Sequence, residues 1–421
     1  MSNSYDVIVV GGGASGMMAA GRAAERGKRV LLLEKNKVLG KKLSITGGGR
    51  CNILNAEPDT RALLANYGDK AKFLYSPFSK HGMQDSWNFF TDRGLPLVVE
   101  ARKRAFPQSM KATDVTNVMY QYLIDNRVEI KTGFSVKDIL FENSRVCGVC
   151  VNKNEIFTAN SYILSTGGVS HPATGATGDL FDSLAHVGYT VHKSNPSIVP
   201  LTVSEDWVKD LSGTTLSFMK ITFGVDISKE NKESIGRFSR TGKILFTHFG
   251  VSGPLILNSA SKVLKLLEKN NVVKCSIDLY PDTEAHKIHN RVLELFLANK
   301  NKLFKTVVKD LVPTGMSEAV LRNCPEHIIN TPVHSITKTE RQNFAELLKN
   351  MPLTVTGTMG LDWAVISDGG VDLKDIYTNN MQSRLHDNLY FTGDMLHINR
   401  PSGGYSLQLC WTTGWVAGSD V

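Results

Sequence analysis

The segment "YDVIVVGGGASGMMAA" at residues 5–20 decides the fold class of this chain. Residues 5–10 form a short, almost continuously apolar and β-branched run, which is typical of a buried parallel strand. This run leads into the Gly-x-Gly-x-x-Gly turn Gly11–Gly16 and then into a helical pattern that we expect to stop at Gly27. A strand, a glycine turn and a helix in this order predict a dinucleotide-binding βα unit.

Each glycine of the turn has its own steric role, and an acidic residue completes the pattern. Gly11 permits the tight turn, Gly13 lets a pyrophosphate approach the backbone, and Gly16 lets the helix pack closely on the strand. Glu34 ends the next predicted strand, 23 residues after Gly11, where it can accept hydrogen bonds from a ribose hydroxyl. Because an acid at this place disfavours a 2′-phosphate, the pattern predicts FAD or NAD rather than NADP.

Two later segments favour FAD. Residues 128–168 predict a β-meander and then a buried strand that opens on Gly167–Gly168, an arrangement that resembles the glutathione-reductase-type FAD-binding domain. An NAD dehydrogenase would more often alternate strands with helices here. Residues 389–392 predict a strand before Asp394, whose carboxylate can face the ribityl hydroxyls. A helix that begins near Tyr405 can direct its N–H groups at the flavin pyrimidine.

Composition and charge limit the partners. The 421 residues carry a formal net charge of +8, which suits anionic ligands such as phosphates or carboxylates. There is no basic block and no basic stripe with interleaved aromatic residues, which argues against nucleic acid as a partner. No apolar run approaches the roughly 18–20 residues of a membrane span, and the N-terminus does not have the pattern of a signal peptide. Six scattered cysteines form no disulfide framework, so we expect a cytoplasmic protein.

Several segments, taken together, resemble one known family. They are "VVGGGASGMMAA", "GKKLSITGGGRCN", "TGGVSHPATGATGD", "KILFTHFGVSGPLIL" and "GDMLHINRPSGGYSLQLCWTTGWVAG", and in this order they span nearly the whole chain. The sequence closely resembles the HI0933-like flavoproteins, which include aminoacetone oxidase-like and bile-acid-reductase-like members. The resemblance implies an α/β fold in which a Rossmann-type FAD-binding domain is interrupted by a β-rich domain and a small helical domain. We place these domains at residues 1–194 with 353–421, at 195–281 with 331–352, and at 282–330, respectively.

The glycine turn, the later segments and the resemblance together give the predicted FAD contacts. In "SITGGGRCNI", residues 44–53, the glycines remove side chains that would collide with the flavin, while Arg50 and Asn52 offer donors that fix the loop or meet charge. Val136 would touch adenine through its backbone. The full set of predicted contacts is Gly11, Gly13, Ala14, Ser15, Gly16, Glu34, Lys35, Lys41, Lys42, Gly47, Gly48, Gly49, Arg50, Cys51, Asn52, Val136, Thr166, Gly167, Gly168, Asp394, Gly404, Tyr405 and Leu407.

The last motif departs from the family pattern, which commonly has a form like "GEVLDVDGxTGGYNLQ". Here Asp394 replaces a glutamate, His397 and Asn399 replace two aspartates, and Arg400 replaces a glycine. These changes remove two carboxylates and add a cation in a loop that we expect near the flavin, where a cation suits a reduced, anionic ring. The candidate catalytic residues are therefore His397, Arg400 and Tyr405.

Other reactive side chains favour a structural interpretation. Cys147 and Cys150 are three apart on a predicted strand and so face opposite sides, without the helix N-terminus that activates a redox pair. Cys51 has no partner cysteine at a suitable spacing, so we expect a thiol packed under its loop. His286 and His289 can share a helix face, but no third ligand has metal spacing, and we expect no metal site.

The insertion predicts a mostly antiparallel layer, with strands in residues 200–207, 217–228, 242–254 and 272–281. Helical patterns follow, one from an Asp282/Thr283 cap and one at about 339–350. We expect the insertion to cap the flavin and shape a substrate pocket. His248 in the insertion and His171 in "VSHPATG" each have two interpretations, a place at the substrate or flavin edge and a structural histidine.

These features predict an FAD-dependent oxidoreductase that transfers hydride at the flavin N5 with a small organic substrate. A reductase would take hydride from NAD(P)H and pass it to an activated double bond, whereas an oxidase would take it from an amine and reduce oxygen. NAD(P)H would dock only transiently, since no second glycine finger lies in its own βαβ unit. An RNA-acting flavoprotein and a non-catalytic FAD-binding protein are further alternatives. The oligomeric state is not predicted.

Overall fold

The computed structural model describes residues 5–152, 155–224 and 236–421. The chain divides into two compact units, Met1–Ser197 with Ala364–Val421, and Ile198–Trp363. The first unit is therefore discontinuous in sequence, and the second is inserted into it. The separate helical domain predicted at 282–330 stays a prediction.

The centre of the first unit is a five-stranded sheet in which all neighbouring pairs are parallel. Helices cover both faces of such a parallel sheet. Its strands are therefore nearly continuous apolar runs, as in the middle strand and the strands beside it. All five residues of its neighbour Val30–Glu34 are buried. The strand order is Leu389–Phe391, Ala159–Leu164, Tyr5–Val10, Val30–Glu34, Glu129–Thr132.

Two helices of this unit touch through their backbones. A Cβ placed on Gly414 would lie 2.4 Å from the Ser15 carbonyl oxygen, and one on Gly418 would lie 2.4 Å from the Ala19 carbonyl oxygen. The glycines therefore let the last helix lie directly against the first, which follows the glycine turn. The helices of this unit are Ala14–Glu25, Thr60–Leu64, Ala71–Lys80, Met83–Thr91, Ala112–Asp125, Phe181–His186 and Tyr405–Asp420.

Three small antiparallel sheets complete the first unit. The predicted meander is present and pairs its strands in consecutive order. The sheets are Leu54–Asn55 with Arg104–Pro107 and Leu97–Glu100, then Val136–Glu142 with Arg145–Val151 and Ile156–Phe157, and Val191–Ser197 with Ile366–Val371. Short 3₁₀ segments lie at Leu43–Gly49, Ala65–Lys70, Ala101–Lys103, Pro172–Thr174, Leu373–Asp375 and Gly393–Met395.

The second unit contains a closed antiparallel barrel, which is more specific than the antiparallel layer that the sequence predicts. Phe223 of one barrel strand and Phe246 of another are fully buried. Residues 225–228 of the predicted strand 217–228 lie outside the described residues. The barrel order is Leu201–Val203, Gly250–Ser252, Phe238–Thr247, Thr215–Phe223, Val273–Asp278, Met351–Thr358.

The helices of the second unit lie between barrel strands in the chain. Helix Ala285–Ala298 buries Ile288, Val292 and Phe296, one residue per turn, but its N-cap is Glu284 and not the predicted Asp282/Thr283 pair. Lys338–Lys349 begins at a Thr337–Glu340 capping box. The other helices are Trp207–Asp210, Pro254–Leu257, Ala260–Leu267, Phe304–Val307, Ser317–Arg322 and Glu326–Ile329, with 3₁₀ turns at Val308–Asp310 and Val333–Ser335.

No helix within the described residues is both long enough and apolar enough to cross a membrane.

Candidate functional site

The glycine turn is shaped by contacts that only glycine permits. Gly11 has φ +104°, and a Cβ there would lie 2.5 Å from the Ser165 carbonyl oxygen. A Cβ on Gly16 would lie 1.8 Å from the Gly11 carbonyl oxygen. Gly13 differs, because among the described residues no atom outside its chain neighbours lies within 4 Å of its Cβ position. Gly11 and Gly16 thus serve packing within the protein, while Gly13 faces open space.

Glu34 lies buried beneath this turn, 8% exposed. Its Oε2 accepts the Gly12 N–H at 2.7 Å, and its Oε1 accepts the backbone and side-chain N–H groups of Asn36 at 2.7 and 2.6 Å. A carboxylate has about four acceptor positions, so roughly one remains for a ribose hydroxyl. Glu34 therefore orients the turn as well as offering the predicted ribose contact.

The loop "TGGGRC" has an unusual backbone. Gly47, Gly48 and Gly49 have φ values of +58°, +68° and +82°, and Cys51 has +58°. The Cβ positions of Gly48 and Gly49 meet no described residue within 4 Å. Cys51 is fully buried, and burial raises the pKa of its thiol to about 12. The loop is therefore an open glycine surface above an inert thiol.

Arg50 and Asn52 hold this loop in place. The Arg50 guanidinium pairs with Glu100 at 2.9 Å and lies 4.5 Å from the centre of the Phe106 ring. When the Asn52 side-chain amide is oriented so that both its oxygen and its nitrogen are hydrogen-bonded, the oxygen accepts the Gly404 N–H at 2.9 Å. The nitrogen then donates to the Leu54 and Ala105 carbonyl oxygens. Asn52 thus ties the "GGGRCN" loop to the glycine pair before the last helix, about 350 residues along the chain.

The three predicted lysines all reach one segment, residues 170–179. Lys35 Nζ pairs with Asp179 at 2.9 Å, Lys41 Nζ donates to the Ala173 carbonyl oxygen at 2.7 Å, and Lys42 Nζ contacts Ser170. Burial lowers the pKa of the Lys42 ammonium, and the nearby Asp394 carboxylate opposes that shift. The lysines therefore hold "SHPATGATGD" against the segment that follows Glu34.

The remaining predicted contacts occupy buried or half-buried places in the first unit. Thr166 Oγ1 donates to the Met395 sulfur, and a Cβ on Gly168 would lie 2.1 Å from Ser367 Oγ. Val136 is buried at the start of the meander. Leu407 is half-buried in the first turn of the last helix. Their contacts with FAD stay predictions.

Arg400 does not add the unpaired cation that its place in the loop suggests. Its guanidinium is 1% exposed, pairs with Asp394, and donates to the Ile398 carbonyl oxygen at 2.7 Å and Ser406 Oγ at 3.1 Å. Burial opposes its charge, but the Asp394 carboxylate offsets this and holds the pKa of Arg400 above its usual value. Tyr405 begins the last helix, and its carbonyl oxygen accepts the Tyr67 hydroxyl at 2.8 Å.

His397 belongs to a polar cluster that the sequence reasoning missed. Its Nε2 lies 3.3 Å from Asp368 Oδ1, and its ring centre lies 4.0 Å from that of His192. His192 Nε2 in turn lies 2.6 Å from Asp372 Oδ2. The pairing of Val191–Ser197 with Ile366–Val371 and the bond from the His397 N–H to the Val371 carbonyl oxygen bring these side chains together, and no local motif in the sequence indicates it.

The other reactive side chains that the sequence singles out differ in burial and pairing. Cys147 is exposed and Cys150 half-buried on one strand, and all six cysteines lie within the described residues and are unpaired. His286 is exposed beside Glu284, and no metal-binding group of three ligands occurs within the described part of the chain. His248 is exposed in the second unit. His171 has φ +52° and a buried Nδ1 without a hydrogen-bond partner.

The residues of the first unit fit a dinucleotide. Gly13, Gly48 and Gly49 leave backbone surfaces that a Cβ would fill, as close approach of a ligand requires. Helix Ala14–Glu25 begins without a capping side chain and without an acid in its first turn, so its positive end is left for an anion. A buried acid, Glu34, lies under the same turn.

Comparison with known proteins identifies the family. A model described as the HI0933-like protein Rossmann domain matches residues 5–420, so the chain belongs to the HI0933-like family. It is 27% identical over 419 residues to a 3-dehydro-bile acid delta(4,6)-reductase of Clostridium scindens, covering 97% of each chain. It is 24% identical over 425 residues to a ribosomal RNA dihydrouridine synthase of Haemophilus influenzae, covering 100% of this chain and 99% of that one.

Solved structures show the same fold. A 3-ketosteroid-delta4-(5alpha)-dehydrogenase from Rhodococcus jostii RHA1 superposes with a TM-score of 0.53 at 13% identity, covering 100% of this chain and 97% of that one. With the family, this confirms the predicted Rossmann-type FAD-binding fold with its β-rich insertion. The chain is an FAD-dependent oxidoreductase.

Proposed function

We propose that this member of the HI0933-like family is an NAD(P)H-linked reductase of an activated carbon–carbon double bond. The observation that carries the proposal is that relatives of nearly full length have names describing such chemistry on dissimilar molecules. One is a bile acid delta(4,6)-reductase, and the other forms dihydrouridine, which is uridine with its ring double bond reduced. The shared element is the reduction and not the substrate.

Bound FAD supplies the hydride-transfer chemistry, so the hydride donor and the acceptor do not need to be bound at the same time. For this chain we assign the pyrophosphate to the Gly11–Gly16 turn and its helix, and a ribose to Glu34. The open surface of Gly48 and Gly49 would receive the ring side of the cofactor. Tyr405 and Leu407 begin the helix whose N–H groups would face the pyrimidine, where negative charge increases on reduction.

The chain's own groups favour direct hydride chemistry over thiol chemistry. Cys51 is inert at neutral pH because burial raises its pKa to about 12, and the same holds for Cys410 beside Arg400. The Arg400–Asp394 pair keeps a fixed charge arrangement under the last loop. We also propose a cytoplasmic location, which the unpaired state of all six cysteines supports.

Anaerobic titration of the yellow protein tests this function. NADH, NADPH and a set of primary amines are added in turn while the flavin absorbance is followed. We expect bleaching by a pyridine nucleotide and not by an amine, followed by return of the colour on adding 2-cyclohexen-1-one. Bleaching by amines alone would establish the oxidase alternative instead.

A second candidate function is the same reduction on a uridine in RNA. The ribosomal RNA dihydrouridine synthases favour it because they match the chain over its whole length. The net charge of +8 is compatible with it, although no basic stripe supports it. Return of the flavin colour on adding a uridine-containing oligonucleotide, and not the enone, would identify this substrate class.

A further inference from the structure

We propose that His397 donates the proton that completes the double-bond reduction, that Asp368 positions it, and that the His192–Asp372 pair returns protons to it from solvent. This inference rests on the proposed function. Addition of hydrogen to a double bond needs a hydride and a proton, and a protein side chain near the hydride site commonly supplies the proton. His397 lies three residues after Asp394, in the loop that leads to the last helix.

His397 is held through its backbone, and its ring faces a carboxylate. Its backbone N–H donates to the Val371 carbonyl oxygen at 2.9 Å, and its Nε2 lies 3.3 Å from Asp368 Oδ1, a buried oxygen with no hydrogen-bond partner among the described residues. The other carboxylate oxygen of Asp368 accepts the Asn399 side-chain N–H at 2.9 Å, which fixes the carboxylate in turn. Among the described residues no hydrogen-bond partner occupies His397 Nδ1. A carboxylate at Nε2 thus leaves Nδ1 as the atom that exchanges a proton.

The second histidine–carboxylate pair lies against the first. His192 Nε2 is 2.6 Å from Asp372 Oδ2, and the His192 and His397 rings are inclined by 42° with centres 4.0 Å apart. The His192 side chain is 39% exposed and that of His397 is 23% exposed, so His192 is the one nearer to solvent. Each ring thus has its own carboxylate neighbour.

One further charged group faces His397. Asp69 interacts with His397 across space and is paired with Lys70 at 3.1 Å. The charged groups around His397 are thus Asp368 and Asp69, while Asp372 pairs with the neighbouring His192.

The step balances in atoms and electrons. The π bond of the substrate breaks, and its electron pair forms a C–H bond with the proton from His397 Nδ1. The hydride, which NAD(P)H supplies through the bound cofactor, forms the second C–H bond. His397 is left as neutral imidazole and regains a proton from water by way of His192.

Histidine NMR on the yellow holoenzyme tests the pairing without using turnover. The His397 ring signals are assigned by their loss in His397→Asn and then compared between wild type and Asp368→Asn. We expect Asp368→Asn to shift these signals, because the ring loses the carboxylate that faces its Nε2. Glu340→Gln breaks a comparable pair, in which Glu340 and His327 are 2.7 Å apart, and should leave the His397 signals unchanged. Unchanged His397 signals in Asp368→Asn contradict the pairing.

The oxidative half-reaction tests the proton transfer. Photoreduced holoenzyme is mixed anaerobically with 2-cyclohexen-1-one or a uridine-containing oligonucleotide, and return of the flavin colour is followed. We expect His397→Asn to slow this step by about a hundredfold, with bleaching by NAD(P)H nearly unchanged. Asp368→Asn should slow the same step by about tenfold, because the His397 ring loses the carboxylate that faces it. His186→Asn, on an exposed histidine, is the control.

The outcomes separate the two proposals. A wild-type rate in His397→Asn or in Asp368→Asn overturns the proton-donor role while the reductase function stands. If the wild-type reduced enzyme is reoxidised by neither probe, the proposed function fails, and the proton-donor role fails with it.

Discussion

The glycine turn at residues 11–16 and the loop at residues 394–404 lie in the same unit but are built by different physical rules. In the turn, backbone atoms approach so closely that a Cβ on Gly16 would lie 1.8 Å from a carbonyl oxygen. In the loop, side chains with charge are paired with partners, as Arg400 is with Asp394 and His397 with Asp368. Steric exclusion fixes the first region, and charge pairing fixes the second.

This difference decides how each region tolerates change. A steric requirement is satisfied by one residue type and is visible in the sequence as glycine. A charge pair can be exchanged for another pair, so the same backbone can hold different chemistry. The loop is therefore where we expect the chemistry to vary, and the turn is where we expect the residues to be constrained.

The largest effect should come from Gly16→Ala. Its Cβ would collide with the Gly11 carbonyl oxygen, and because that oxygen belongs to the backbone, the turn itself would have to shift. We expect a loss of more than about 4 kcal/mol in the free energy of unfolding, measured by urea denaturation.

Gly13→Ala is the matched control, since Gly13 has φ −83° and an open Cβ position. It should change the unfolding free energy by less than about 1 kcal/mol while sharply reducing bound FAD. Equal effects of the two variants on stability would contradict the division between packing and ligand-facing glycines.

Arg400→Met should have the next largest effect, in the second region. It leaves the half-buried Asp394 without its partner, and loss of one member of a buried pair costs about 3–5 kcal/mol. The double variant Arg400→Met with Asp394→Asn should recover part of that loss, because the unpaired charge is gone. If the single and double variants unfold at the same urea concentration, the two side chains are not coupled.

The smallest effect should come from Asn52→Ala, which removes the bridge between the glycine loop and Gly404. It leaves the Gly404 N–H and two carbonyl oxygens without their side-chain partner, at a cost of about 1–3 kcal/mol. Thermal unfolding followed by circular dichroism measures this loss. Asn66→Ala, on an exposed helix end, is the control and should lie within about 0.5 kcal/mol of wild type.

Much of the fold follows from the sequence because its signals are local. The strand at Tyr5–Val10, the helix at Ala14–Glu25 and the meander carry patterns of apolar and turn residues that require no distant partner. Closure of the insertion into a barrel does not follow, because it depends on Leu201–Val203 pairing with Met351–Thr358 across about 150 residues. The N-cap at Glu284 also escapes prediction, since Asp282 and Thr283 are more common N-cap residues than a glutamate, whose side chain makes no capping hydrogen bond here.

The sequence by itself determined the glycine turn, the acid beneath it and the FAD-binding class, because close backbone approach can be met only by glycine and the spacing is local. Only the tertiary structure decided the state of the charged residues. The sequence alone predicts Arg400 as an added cation, whereas in the fold it is buried and paired with Asp394. His397 acquires Asp368 and His192 only when two strands far apart in the chain pair. Charge depends on neighbours in space, and those neighbours are set by the whole fold.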